Sequence, residues 1–332
     1  MKRPWLLPLV PLYAAGLGLR SAGLRLGMER VQRLVWPVIS VGSISAGGAG
    51  KTPFVIALAK LLERSGTKVD VLSRGYGRAG SGPARVRLDG DAAIYGDEPL
   101  LIAKEANVSV FVDSRRYVVG KLAEAPGAES TVHLLDDGFQ HRQLARDVDI
   151  ALVSSEDLKD SLLPAGDLRE PVSGLRRAMV LAVPVGDEAA TVELERRGLG
   201  PAAGQQIWRF RREMAVSKAE GPVVAFCGIA RPGQFFAGLE RLDIEIAVQQ
   251  AFRDHHRFSE QDLEMLADAA KRTGAKAFMT TGKDRMRLGS VAERLTSVAP
   301  LLTADLRVEF EDEAGVVEWI GGRLQASGGR SL

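Results

Sequence analysis

The sequence has a single cysteine, Cys227, so it can form no disulfide within itself and no cysteine-based zinc site. That thrift fits a reducing compartment. No low-complexity tract or internal repeat interrupts the 332 residues, which restricts expected disorder to the ends, such as 326–332. Charge of one sign is also missing. The 44 basic and 42 acidic residues leave a formal net charge of +2, too little to point to nucleic acid. A spanning helix needs about 20 apolar residues; Trp5–Leu19 is apolar but short, and Pro8 and Pro11 interrupt it. What remains is a globular composition, 45% hydrophobic and 26% charged, in a chain long enough for two domains.

Basic residues do gather at the N-terminus. Lys2, Arg3, Arg20, Arg25, Arg30 and Arg33 face only Glu29 within the first 40 residues. Val10, Ala14, Leu17, Leu24, Met28, Val31 and Val35 recur at helical spacing, with several arginines off that stripe. An apolar face beside a basic one suits a helix lying in the headgroups of an anionic leaflet. A helix packed on the protein's own core and a cleaved signal peptide are the competing readings, the last without a convincing cleavage site.

Short apolar runs then alternate with amphipathic stretches. Val38–Gly42, Val69–Ser73, Val108–Val112, Thr131–Leu135, Val148–Val153 and Met179–Val183 read as strands, with helices near 52–64 and 115–125. The alternation predicts an α/β fold with a parallel sheet wrapped by helices. Gln206–Glu213 reads as an isolated strand in a linker. A second series starts at Val223–Cys227 and runs through Ile244–Gln249, a helix over 259–272, Ala277–Thr281 and Leu301–Phe310. The expected organisation is a membrane-associated helix over 1–35, a P-loop domain over 36–208 and a smaller α/β domain over 209–325.

The segment Ser45-Ala46-Gly47-Gly48-Ala49-Gly50-Lys51-Thr52 lies between a strand and a helix. It follows the phosphate-loop pattern G-x-x-x-x-G-K-[ST], except that Ser45 replaces the first glycine. Gly47, Gly48 and Gly50 let the backbone turn its N–H groups inward. Those donors and the helix N-terminus attract the phosphates of ATP. Lys51 would bridge the outer phosphates and Thr52 would offer its hydroxyl to Mg²⁺. Partition-type ATPases carry a lysine where this chain has Ala46, and the N-K-x-D motif of GTPases is missing: Thr281-Gly282-Lys283-Asp284 has its lysine elsewhere.

Other segments admit two readings each. Asp136 and Asp137 follow a buried strand and could hold Mg²⁺, or form an ordinary Asp-Asp-Gly turn. His141 could orient a phosphate or merely pack. Asp97, in Gly96-Asp-Glu-Pro99, is a helix cap or a carboxylate able to take a proton from a hydroxyl. Arg169 and Glu170 are a surface pair or, for Arg169, a clamp on a transferred phosphoryl group; Arg116 carries the same alternatives. Adjacent His255 and His256 make a poor metal pair, but an Asp-His couple could tune proton transfer.

In order, Gly47–Pro53, Ser73-Arg-Gly-Tyr-Gly77, Gly96-Asp-Glu-Pro99, Asp136-Asp-Gly-Phe-Gln-His141, Leu163-Pro-Ala-Gly-Asp-Leu-Arg-Glu-Pro171, Phe252-Arg-Asp-His255 and Thr281-Gly-Lys-Asp284 resemble the tetraacyldisaccharide 4′-kinase family. The resemblance implies two α/β/α domains, the first P-loop NTPase-like, joined by a two-stranded linker. It implies a bacterial enzyme on the cytosolic face of the inner membrane. ATP would phosphorylate the 4′-hydroxyl of an acylated glucosamine disaccharide 1-phosphate, with no nucleic acid and no obligate protein partner. Asp97 matches the family's catalytic aspartate and His255 the histidine coupled to it. Lys51 and Thr52 match phosphate and Mg²⁺ ligands, and Asp136, Asp137, His141, Arg116, Arg169 and Glu170 match residues lining the site. Gly282 stands where the family often has Glu. The rival readings are a P-loop ATPase that switches a partner at the membrane and a nucleotide sensor without catalysis.

Overall fold

The computed structural model describes residues 3–28, 30–47, 50–127 and 131–328. Among them, twelve strands form one sheet. They are β1 (Val38–Ser43), β2 (Val69–Ser73), β3 (Ala84–Arg85), β4 (Ser109–Val112), β5 (Val132–Asp136) and β6 (Val148–Leu152). β7 (Val180–Pro184), β8 (Gln206–Val216), β9 (Val223–Cys227), β10 (Ile246–Ala251), β11 (Ala277–Thr280) and β12 (Leu301–Phe310) complete it. The order across the sheet is β10-β9-β11-β12-β8-β7-β6-β1-β5-β2-β4-β3. Every pairing is parallel except β3 with β4 and β8 with β12.

β1, β2, β5, β6 and β9 are buried along their whole length, as expected of parallel strands covered on both faces. The helix Lys51–Arg64 lays Phe54, Val55, Leu58, Leu61 and Leu62 on the first half of the sheet. The two long antiparallel strands, β8 and β12, join that half to the βα series of the second half. The helix Glu313–Gly328 then turns back. Its Val316, Ile320 and Leu324 pack in the same core as Phe54, Trp208 and Phe310. The stretch expected as a separate domain, 209–325, therefore lends its last helix to the first half, because β12 delivers the chain there.

The N-terminus corrects an expectation. A 3₁₀ turn, Pro4–Leu9, leads into a helix, Val10–Arg25, and Gly27 in the left-handed region ends it. Met28, Val31 and Val35 thus lie beyond the helix. Val10, Ala14, Leu17 and Leu24 do share a face, but it is half-buried against the protein. The exposed face carries Leu12 and Leu19, with Trp5 in the turn before the helix and Leu26 just past its end, each about three-quarters exposed. This helix is apolar on both sides, so spacing alone could not tell which side would be covered. Tyr13 Oη donates to the Arg169 carbonyl at 3.1 Å, Arg142 to Ser21 Oγ at 2.9 Å, and Arg3 to Asp167 at 2.7 Å. No described helix is long and apolar enough to cross a membrane.

Candidate active site

Parallel neighbours bring three polar strand ends to one edge: Ser43 of β1, Ser73 of β2 and Asp136 of β5. Ligands of α/β sheets sit at this carboxyl edge. Beyond β1 the chain passes Ser45 and Ala46, which are tied to a neighbouring loop. Ser45 bridges Leu168, the Ala46 amide donates to the Asp167 carbonyl at 2.8 Å, and the Arg169 amide donates to the Ile44 carbonyl at 2.7 Å. Gly47 and Gly50 take φ of +74° and +73°, which a side chain would resist. Gly48 and Ala49 lie outside the described residues. Lys51 and Thr52 open the helix; Thr52 is buried, and Lys51 Nζ lies 3.4 Å from Ser43 Oγ and 3.5 Å from Asp137.

The adjacent aspartates have opposite environments. Arg169 grips both oxygens of Asp137 at 2.7 and 2.8 Å. Burial raises the Asp137 pKa, but the hydrogen bond from Arg169 and the charge of Lys51 outweigh it and hold the carboxyl well below the usual range. Asp136 accepts a hydrogen bond from Ser73 Oγ at 2.8 Å, while its buried Oδ1 has no partner. Burial, then the charges of Glu98 and Asp137, push it up to about 6. A buried carboxylate oxygen without a donor, repelled by two other acids, is what a divalent cation would relieve. Among the described residues no cluster of three His, Cys, Asp or Glu side chains converges. Mg²⁺ itself takes one or two carboxylates and completes its shell with water and phosphate oxygens. Thr52 and Asp136 fit that role. Asp137, already paired, fits it only if Arg169 lets go.

Arg116 is buried, donates to the Ser114 carbonyl at 3.0 Å and keeps an unpartnered Nε. Burial lowers it to about 10. His141 is lowered to about 4 by burial and then by Arg116, Arg146, Arg20 and Arg74, so it is neutral at pH 7 in a cationic surround suited to an anion. Glu170 stands apart: Arg177 takes both its oxygens at 2.7 and 2.8 Å, and the same guanidinium lies 3.7 Å over the Phe139 ring.

Asp97, at the start of the helix Asp97–Ala106, faces the second half of the sheet. Its Oδ2 accepts from Arg287 Nε at 2.7 Å and lies 3.5 Å from His255 Nδ1. Burial opposes ionisation there, but His255, Arg287 and Lys283 together keep the carboxyl well below its usual range. The hydrogen bond to Asp97 correspondingly raises His255. His256 points elsewhere: it lies 2.9 Å from Asp262 and stacks on Phe252. Among the described non-glycine residues only Asn107, Asp137, Asp243 and His255 have positive φ, and two of those four are site residues. Local strain of that kind persists where the surroundings impose it.

Sequence reasoning passed over Glu98, Lys283 and Arg287. Lys283 Nζ pairs with Glu98 and feels Asp97 and Asp136. Arg287 also donates to Asp284 at 2.8 Å and to the Gly228 carbonyl at 2.6 Å. A usable signal was present. Thr281 caps the helix Gly282–Leu288 with Asp284 three residues on, and Arg287 follows Asp284 at i+3 on the same face.

The family described as tetraacyldisaccharide-1-P 4′-kinase matches residues 2–325. A tetraacyldisaccharide 4′-kinase of Koribacter versatilis is 41% identical over 323 residues, covering 94% of this chain and 97% of its own. One from Syntrophobacter fumaroxidans is 38% identical over 306 residues, covering 86% and 79%. A crystal structure of LpxK from Aquifex aeolicus in complex with ATP superimposes with a TM-score of 0.75 at 33% identity, over 96% of this chain and 98% of that one.

Proposed function

The chain belongs to the tetraacyldisaccharide 4′-kinase family, and on that premise we propose how its residues divide the work. The reaction is ATP-dependent phosphorylation of the 4′-hydroxyl of the acylated glucosamine disaccharide 1-phosphate, the lipid A precursor. The rival reading as an ATPase switch has no support.

Asp97 accepts the proton of the 4′-hydroxyl as that oxygen attacks the γ-phosphorus and the bond to the β-phosphate oxygen breaks. The observation that carries this role is that Arg287 and His255 both sit on Oδ2. Oδ1 is left without a partner among the described residues. His255 orients the carboxylate and takes a share of the proton. Lys51 and Arg169 hold the transferred phosphoryl group, while backbone amides of 45–50 cradle the inner phosphates. Arg116 and His141 receive a further phosphate. Thr52 and Asp136 would hold Mg²⁺, which when bound would supply neutralising charge to the phosphate oxygens. Glu170 supports the site through Arg177 rather than by touching nucleotide.

The acceptor's acyl chains belong in a bilayer. The exposed Trp5, Leu12, Leu19 and Leu26 dock the cleft on the cytosolic face of the bacterial inner membrane, where ATP is available. Residues 1–35 serve that contact, 36–208 the nucleotide, and 209–325 the far wall of the cleft.

Incubation with γ-labelled ATP and a detergent-dispersed acylated disaccharide phosphate tests the assignment. Asp97→Asn should lower lipid labelling by about 10²-fold or more with ATP affinity kept. Near-wild-type labelling would remove Asp97 from its role.

A further inference from the structure

β8 carries three arginines, Arg209, Arg211 and Arg212. Arg209 pairs with Glu188 at 2.9 Å and donates to Thr191 at 3.0 Å. Arg211 lies 3.5 Å from Glu311. Arg212 has no carboxylate within ion-pair distance among the described residues. Asp157, Asp187 and Glu156 reach it only through their longer-range field.

Strand geometry explains where this cation goes, with its guanidinium carbon 5.8 Å over the Phe210 ring. Residues two apart share a face of a strand. Arg212 is therefore on the side of Phe210, whose ring meets Phe54 edge-on at 5.3 Å between centroids. Phe54 is in the first turn of the helix Lys51–Arg64, and its amide bonds back to the Gly50 carbonyl. Arg212 thus lies beside the start of that helix. A Cβ placed on Gly50 would be 3.5 Å from Arg212 Cδ and 3.7 Å from its Nη1. The other flank is closed by the second half of the sheet, since a Cβ on Gly47 would be 3.9 Å from that of Ala230.

We propose that Arg212 is a further nucleotide-binding residue: its guanidinium contacts the α- and β-phosphates of ATP from the strand that joins the two halves of the sheet. The inference rests on the kinase reading of the phosphate loop. Gly50 immediately precedes Lys51, and backbone at that position of a phosphate loop cradles the α/β-phosphates while the lysine reaches outward. A guanidinium against Gly50 is therefore on the inner-phosphate side, complementary to Lys51. Its planar fork suits bidentate contact with phosphate. Because Arg212 is on a strand shared by both halves, nucleotide binding also anchors the linker.

The test measures binding of ADP, AMP and adenosine with Mg²⁺, together with the KM for ATP, in wild type, Arg212→Gln, Arg212→Lys and Arg209→Gln. Arg212 is exposed, so both of its variants should fold, which thermal unfolding without nucleotide checks. Loss of a charge-assisted contact predicts ADP affinity and ATP KM at least about tenfold worse in Arg212→Gln. Arg212→Lys should recover part of the loss, adenosine binding should not change, and Arg209→Gln should match wild type. ADP affinity of Arg212→Gln within about twofold of wild type would overturn the proposal. So would an equal loss for adenosine, which would place the side chain on the base. Wild type that binds no ADP and labels no lipid would instead defeat the kinase reading itself.

Discussion

Arg287 donates to Asp97 across the junction between the two halves of the sheet, at 2.7 Å from Nε to Oδ2. The same guanidinium holds Asp284, which is fully buried and also accepts from Thr281 Oγ1 and the Gly228 amide. One cation therefore neutralises two buried acids and links the candidate base to the far wall of the cleft.

Arg287→Met should expose that dependence. Removing one partner of a buried pair leaves the other charge uncompensated and costs about 3–5 kcal/mol. The urea midpoint should fall accordingly. Arg287→Lys should fall between the variant and wild type, because it restores the charge without the fork. An unchanged midpoint for Arg287→Met would mean the contact contributes nothing to holding the halves together.

The two faces of the N-terminal helix should respond differently to charge. Leu12→Asp and Leu19→Asp alter the exposed face. Each should weaken binding to anionic vesicles by about tenfold or more while leaving the unfolding temperature unchanged, given ~1.5–3 kcal/mol per buried leucine. Leu17→Asp, on the half-buried face, should lower the unfolding temperature instead. Vesicle sedimentation and thermal melts separate the two effects. Undiminished vesicle binding by the Leu12 and Leu19 variants would contradict membrane docking through this face.

Stability should drop in alkali because of a buried charge near the other end of β5 from Asp136. His133 lies 2.7 Å from Asp70 and 3.5 Å from Glu124. Burial opposes its protonation, yet the hydrogen bonds to Asp70 and Glu124 raise it to about 9. The folded pKa is above the ordinary 6.5. Its contribution, on the order of 3 kcal/mol, is complete below pH 6.5 and is lost as pH rises through 9. Urea melts between pH 7 and pH 10 should show that fall in wild type and a shallower one in His133→Gln. Parallel curves for the two proteins would rule it out.

Gly42 is where the end of β1 leans on the segment after β5. A Cβ there would meet Phe139 Cβ at 2.6 Å and its amide nitrogen at 2.7 Å. Because backbone as well as side chain is in the way, Gly42→Ala should cost about 1–3 kcal/mol. It should also raise the KM for ATP, since β1 leads directly into residues 45–52. A variant as stable as wild type would show that the backbone yields at little cost.

Much of the site was readable because its logic is local. The phosphate loop is a contiguous pattern between a strand and a helix, and Asp136 ends a strand whose burial follows from its own apolar run. Arg212 was not readable: it is one of three arginines on β8, and only the register with β12 and the packing of Phe210 on Phe54 set it beside Gly50. Glu170 shows a second partner that the sequence does not announce. It sits in the same loop as Arg169, and in the fold Arg177, seven residues on, takes both its oxygens.

The chain's order of apolar runs, glycines and acids by itself determined the α/β class, the phosphate loop and the strand-end carboxylates, because each depends on neighbours within a few residues. Tertiary structure decided which face of the N-terminal helix stays exposed. It also decided that His255 rather than His256 stands by Asp97, and that Arg287 joins them. Those outcomes depend on which surfaces meet across 30 to 190 residues of chain, and burial and charge pairing are settled only when they do.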